Sequence, residues 1–178
     1  MSEFSESYHL RSNDAQEAVE ILRRAGERGY VFPASAGWVA FVSEGNLFEP
    51  NPAIVKANPG ILVHYVNQED YCCWFAIFER SEMKCGYRCD WSEGLEVDDS
   101  AYSRAALSKI LSSDKEDEVD AFEETLQPSD QDEIFETNPA REFAKLMGLA
   151  HFDYVSYDSL AEGMKRNAKA VQGVIEVK

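Results

Sequence analysis

The apolar positions of this chain change period several times, and each change marks an element. Ser7 to Arg11 alternates weakly and predicts a first strand. Asn13 or Asp14 then offers an N-cap, with Gln16 or Glu17 three residues on. Ala15, Ala18, Val19, Leu22 and Ala25 recur at helical spacing before Gly26 and Gly29. That pattern predicts a capped helix with a glycine stop. Tyr30 to Pro33 and Trp38 to Val42, joined through Ala34 to Gly37, predict a hairpin. Asn51-Pro52 opens a short helix through Ala57, which Asn58-Pro59-Gly60 ends.

Three dense runs follow, Ile61 to Val66, Tyr71 to Arg80 and Met83 to Trp91, and predict an antiparallel meander. In the last run Met83, Cys85, Tyr87, Cys89 and Trp91 alternate with Lys84, Gly86, Arg88 and Asp90, which gives one buried face and one wet face. With Ser81-Glu82 as a two-residue turn, Trp74 falls opposite Cys89 and Phe78 opposite Cys85. After Trp91 the period becomes helical over Ala101 to Leu111 and over Glu118 to Leu126, which Pro128 closes. Asn138-Pro139 starts a helix that ends at Gly148, with Phe143, Leu146 and Met147 facing inward. His151 to Tyr157 reads as strand or loop, and Val174 to Val177 as a last strand.

Together these elements predict one α+β domain over residues 1–178. Its mostly antiparallel sheet is the N-terminal strand, the hairpin and the meander. The N-terminal helix covers one face, and the C-terminal helices pack at an end or on that same face. Leu22, Trp38, Phe41, Trp74, Phe78 and Phe143 are the expected core.

Charge changes this picture. The 178 residues hold 33 acidic and 17 basic side chains, a net charge of −16, with 44% apolar residues. Such a chain is too apolar for disorder, and its acidity argues against nucleic acid and anionic membranes as partners. Between Asp90 and Glu136 lie 16 acids against Arg104, Lys109 and Lys115. The acidity is therefore concentrated in a largely helical insert at about residues 92–136. No secretory or transit pattern is visible at the start of the chain. The uncharged run Tyr71 to Phe78 is far short of the roughly 20 residues of a membrane span. A cytoplasmic protein is expected.

Candidate chemistry is sparse. Cys85 and Cys89, four apart on a strand, stand about 13 Å from one another, too far to share a metal or a disulfide. Cys72 and Cys73 point to opposite faces, so buried thiols among aromatics are expected. His9 and His64 sit in strands among apolar neighbours. His151, followed by Asp153, is the best candidate acid–base group, yet no Ser or Cys elbow marks a nucleophile. The stretches from Asp114 and Asp130 lack the glycine and glutamate of a calcium loop, and no glycine-rich phosphate cradle is present. No cofactor and no metal site is expected.

Three functional classes remain. The leading one is an acidic protein-binding module that docks a basic protein through the insert, as small acidic inhibitor or immunity proteins do. That likeness is one of size and charge. The binding residues expected are Phe122, Glu123, Glu124, Asp132, Glu133, Phe135, Asp153, Tyr154, Tyr157 and Asp158. The others are a structural or homo-oligomeric domain and an enzyme with a site near His151.

Overall fold

The computed structural model describes residues 4–45, 48–111, 113–166 and 172–178. Strands form where the short period predominates. They are β1 (Phe4–Arg11), β2 (Gly29–Val31), β3 (Trp38–Ser43), β4 (Ile61–Gln68), β5 (Cys72–Glu79), β6 (Glu82–Asp90), β7 (Glu96–Asp98) and β8 (Ile175–Val177). They make one sheet in the order β7-β6-β5-β4-β1-β3-β2-β8, each neighbouring pair antiparallel. The fold is α+β.

Helix boundaries follow their caps. Helix α1 (Ala15–Ala25) begins where the Asp14 carboxylate accepts from the Gln16 amide, and it ends at Gly26, whose φ of 72° suits glycine. Helix α2 (Pro52–Ala57) begins with Asn51 accepting from the Ala53 amide and Pro52 in its first turn. Helices α3 (Arg104–Ile110), α4 (Glu116–Glu123), α5 (Gln131–Thr137), α6 (Pro139–Met147) and α7 (Tyr157–Arg166) lie between β7 and β8. Among the described residues no helix is long and apolar enough to cross a membrane.

Side chains alternate across a strand, so the sheet carries two cores. Tyr8, Leu10, Phe41, Leu62 and Phe78 pack with Ala18, Val19, Ile21 and Leu22 of α1 and with Ile54 of α2. On the opposite face, Val63, Tyr65, Phe75, Ile77, Cys85 and Tyr87 pack with Leu107, Val119, Phe122, Ile134 and Phe143. Helices α3 to α6 thus take the face opposite α1, and not an end of the sheet or α1's own face. The reason lies in β4 and β5, where Leu62 and Val63, or Phe75 and Ala76, are all buried. Strands apolar on both faces need a cover on each. The acidic segment supplies much of the second cover. At its centre the Phe143 and Phe75 rings stack with centroids 3.9 Å apart.

The meander forms, with a different register. The β5–β6 turn is Arg80-Ser81, because Glu79 pairs with Glu82, and Arg80 takes a left-handed φ of 54°. An irregularity between Ile77 and Phe78 then shifts the ladder, so Ile77 opposes Cys85 and Cys73 opposes Cys89. Trp74 faces Arg88, not Cys89, and Phe78 faces Met83, not Cys85. The irregularity takes Met83 out of the buried row, and its side chain is half-exposed. Five of the six expected core residues are buried, while Trp74 is half-buried and edge-on to His64. His151 to Ser156 is a loop in which His151 and Tyr154 have φ of 57° and 54°.

Candidate partner-docking site

The register fixes what meets at each end of the sheet. Phe4 opposes Gln68, Gln68 opposes Cys72, Cys72 opposes Asp90, and Asp90 opposes Glu96. On the other side of β1, Gly29 lies between Ser43 and Val177. One end of the sheet therefore gathers the start of β1, the β4–β5 turn and the finishing residues of β3, β6 and β8. Helix α5 joins this end through Phe135, which lies edge-on to Trp91. The loop before α7 joins it as well. The Glu6 amide donates to the Val155 carbonyl at 2.8 Å, and Arg141 in the first turn of α6 pairs with Asp153 at 3.0 Å.

This end is acidic and aromatic. Glu6, Glu44, Glu69, Asp70, Asp90, Asp132, Glu136, Asp153 and Asp158 come from separate segments of the chain. Arg28, Arg88, Arg141 and Lys178 lie there too, and each already holds a carboxylate: Glu44, Glu49 and Asp90, Asp153, and Glu176. Tyr71, Phe135 and Tyr154, the exposed large aromatic side chains among the described residues, all sit at this end. Eight strands at about 4.8 Å spacing make it roughly 34 Å wide, on the scale of a standard protein interface.

Within it lies a cavity of about 190 Å³, lined by Phe4, Glu6, Tyr8, Ser43, Glu44, Gly45, Ser156, Tyr157 and Asp158. Glu6 is its distinctive group. The alternation of β1 puts Glu6 on the same face as Tyr8 and Leu10, and it is only 8% exposed. Its Oε1 accepts from the Phe48 amide at 3.2 Å and lies 3.2 Å from His64 Nε2. Its Oε2 is buried and has no hydrogen-bond partner among the described residues. Beside it the Tyr8 hydroxyl accepts from the Asn51 amide at 2.8 Å, and burial raises the phenol's pKa. The Tyr157 ring packs against Tyr30 at 5.4 Å, which fixes the far wall. An unsatisfied buried carboxylate oxygen in a cavity is costly unless a donor reaches it.

Of the residues expected from sequence, Tyr157 and Asp158 line this cavity, and Asp153 and Tyr154 lie in the loop leading to it. Phe135 and Asp132 are exposed on α5. Glu133 serves that helix's start instead: the Ser129 amide and hydroxyl donate to its carboxylate, holding its pKa below the usual range. Glu123 is engaged by Arg104 and by the Tyr102 hydroxyl, while Glu124 beside it is exposed. Phe122 points inward. It is 3% exposed and packs against Phe75 and Phe143, because the thin apolar stripe of α4 must face the sheet. Sequence reading missed Phe4, Glu6, Tyr8 and Glu44. Starting the first strand at Phe4 would have placed Glu6 on the inward row with Tyr8.

The alternative centre at His151 lacks its orienting acid. The imidazole stacks on Phe32 at 4.4 Å, partial burial lowers its pKa, and Asp153 turns to Arg141. A closer Ser–His pair is Ser7 and His9, 2.9 Å apart, but both are fully buried and His9 Nδ1 has no partner among the described residues. Burial pushes the His9 pKa down to about 3. All four cysteines are free and buried, with their thiol pKa values raised by burial. Among the described residues no three His, Cys, Asp or Glu side chains converge as metal ligands. The chain matches no family model, no curated protein and no solved structure.

Proposed function

We propose that this chain is an acidic protein-binding module of the cytoplasm, of the inhibitor or immunity type. It docks a basic partner at the acidic end of the sheet and seats one arginine or lysine side chain against Glu6. The supporting observation is Glu6, which lines a cavity also walled by Asp158 and Tyr157 and whose Oε2 has no donor among the described residues. A guanidinium or ammonium supplies the missing donor, and a charge-assisted bond in such a site is roughly twice as strong as a neutral one. The size supports a side chain over a free ligand, since about 190 Å³ falls below the ~300 Å³ of ordinary small-molecule sites. The surrounding acids steer the encounter, and Tyr71, Phe135 and Tyr154 supply apolar contact. Relative to the sequence expectation, which named the insert together with Asp153, Tyr154, Tyr157 and Asp158, the proposed interface is centred on the strand ends, with α5 as its flank.

Fluorescence anisotropy with a labelled nona-arginine peptide tests this. Binding is expected at low ionic strength and weakens steeply between about 20 and 300 mM salt. A citrulline version of the peptide should not bind. Glu6→Gln and, separately, the exposed Asp158→Asn should each weaken binding by about tenfold. Unchanged affinity in both variants, with their folds intact, refutes the seat.

A further inference from the structure

The opposite end of the sheet carries a second cavity of different character. It has about 360 Å³ of space and lies between the ends of β1 and β5, the starts of β4 and β6, and α3. Ile61, Ile77, Ala106 and Ile110 form its floor, and Arg11, Lys84 and Lys109 stand around it with one carboxylate, Glu79. In a chain of net charge −16, three cations around one apolar hollow run against the overall composition. They come from three distant elements, so the fold and not local sequence assembles them. Lys84 is engaged by Glu82. Arg11 is fixed differently, with its guanidinium 5.0 Å over the Trp38 ring, whose own N–H donates to the Met147 carbonyl. Among the described residues no carboxylate pairs with it.

We infer that this cavity binds a small amphipathic carboxylate, its apolar body on the isoleucine floor and its anionic head between Arg11 and Lys109. The volume falls within the range of small-molecule sites and exceeds the acidic cavity at the other end. An apolar floor with a cationic rim selects against both halves of such a ligand taken separately. Acetate lacks the body, and a neutral alcohol lacks the head. A long basic side chain, suited to Glu6, is repelled here. This inference is independent of the docking reading.

Calorimetric titration with octanoate, octanol, octylammonium and acetate tests it on the intact chain. Octanoate should bind at a one-to-one ratio at about millimolar affinity or better, as suits a ligand of its size. Octanol and acetate should bind at least about tenfold more weakly, and octylammonium should not bind. Lys109→Glu should weaken octanoate by about tenfold, whereas Lys56→Glu on α2 should leave it unchanged. Ala106→Leu, which fills the hollow, should weaken octanoate without altering surface charge. Equal octanoate affinity in Lys109→Glu, octylammonium binding as tightly as octanoate, or no heat with octanoate up to about 10 mM would each overturn the assignment.

Discussion

Acid should unfold this protein partly through one histidine. His9 is fully buried in β1 against Ser7, and desolvation holds its pKa at about 3, with His151 and His64 nearby adding to the depression. In the unfolded chain its pKa returns to about 6.5. Between these values the unfolded state binds a proton that the folded state refuses. Stability is therefore fully present above about pH 6.5 and is lost as the pH falls toward 3. From pH 7 to pH 5 the loss assigned to His9 is about 2 kcal/mol, a roughly 30-fold shift in the folding equilibrium. The window stops at pH 5 because the many carboxylates begin to titrate below it. His9→Gln keeps a hydrogen-bonding partner for Ser7 and removes the titration. Urea unfolding of both proteins at pH 7 and pH 5 isolates the effect, since His64 and His151 are common to the two. The parent should lose about 2 kcal/mol more than the variant on acidification. Losses equal to within about 0.5 kcal/mol would refute the reasoning.

Two further outcomes follow from backbone geometry. Asn138 ends α5 and starts α6, with φ of 46° and its side chain accepting from the Arg141 amide. Asn138→Ala should cost about 2–3 kcal/mol, the sum of a lost cap and a left-handed alanine, while Asn138→Gly should cost under about 1 kcal/mol. Thermal unfolding of the pair separates the two terms. At Gly29 an added Cβ would lie 2.1 Å from the Val42 carbonyl oxygen, and 2.9 Å from Leu22 Cδ1. Gly29→Ala should therefore destabilise by about 3 kcal/mol or more, measured by urea midpoint, and a loss below about 1 kcal/mol would contradict this packing.

What was legible in the chain was whatever a local rule encodes. Asp14 and Gly26 bracket α1 as capping chemistry requires, and Asn51-Pro52 and Asn138-Pro139 open their helices. Period-two alternation found the meander. It missed the shift near Met83, because a ladder irregularity is decided by the partner strand and by the left-handed Arg80. Helix α5 buries only Ile134, and so has no stripe for a periodicity search to find. The face chosen by α3 to α6 is a tertiary matter, settled by which side of β4 and β5 remains bare. The docking site was half legible. Tyr157 and Asp158 stood out by composition, whereas Glu6 looked like one more charge near the start of the chain. Tertiary pairing buries it, with Val66 of β4 opposite and the Val155 carbonyl bonded to its amide.

The sheet's two outermost strands carry a consequence for self-association. β7 and β8 are three residues each and bear Glu96, Asp98 and Glu176. Short charged borders offer little open backbone ladder for another chain to extend. Strand addition, whether by an extended peptide or by a second copy, is thereby discouraged on both sides. Recognition is left to side chains at the strand termini, where a single altered residue can change the choice of partner without disturbing the hydrogen-bonded framework beneath.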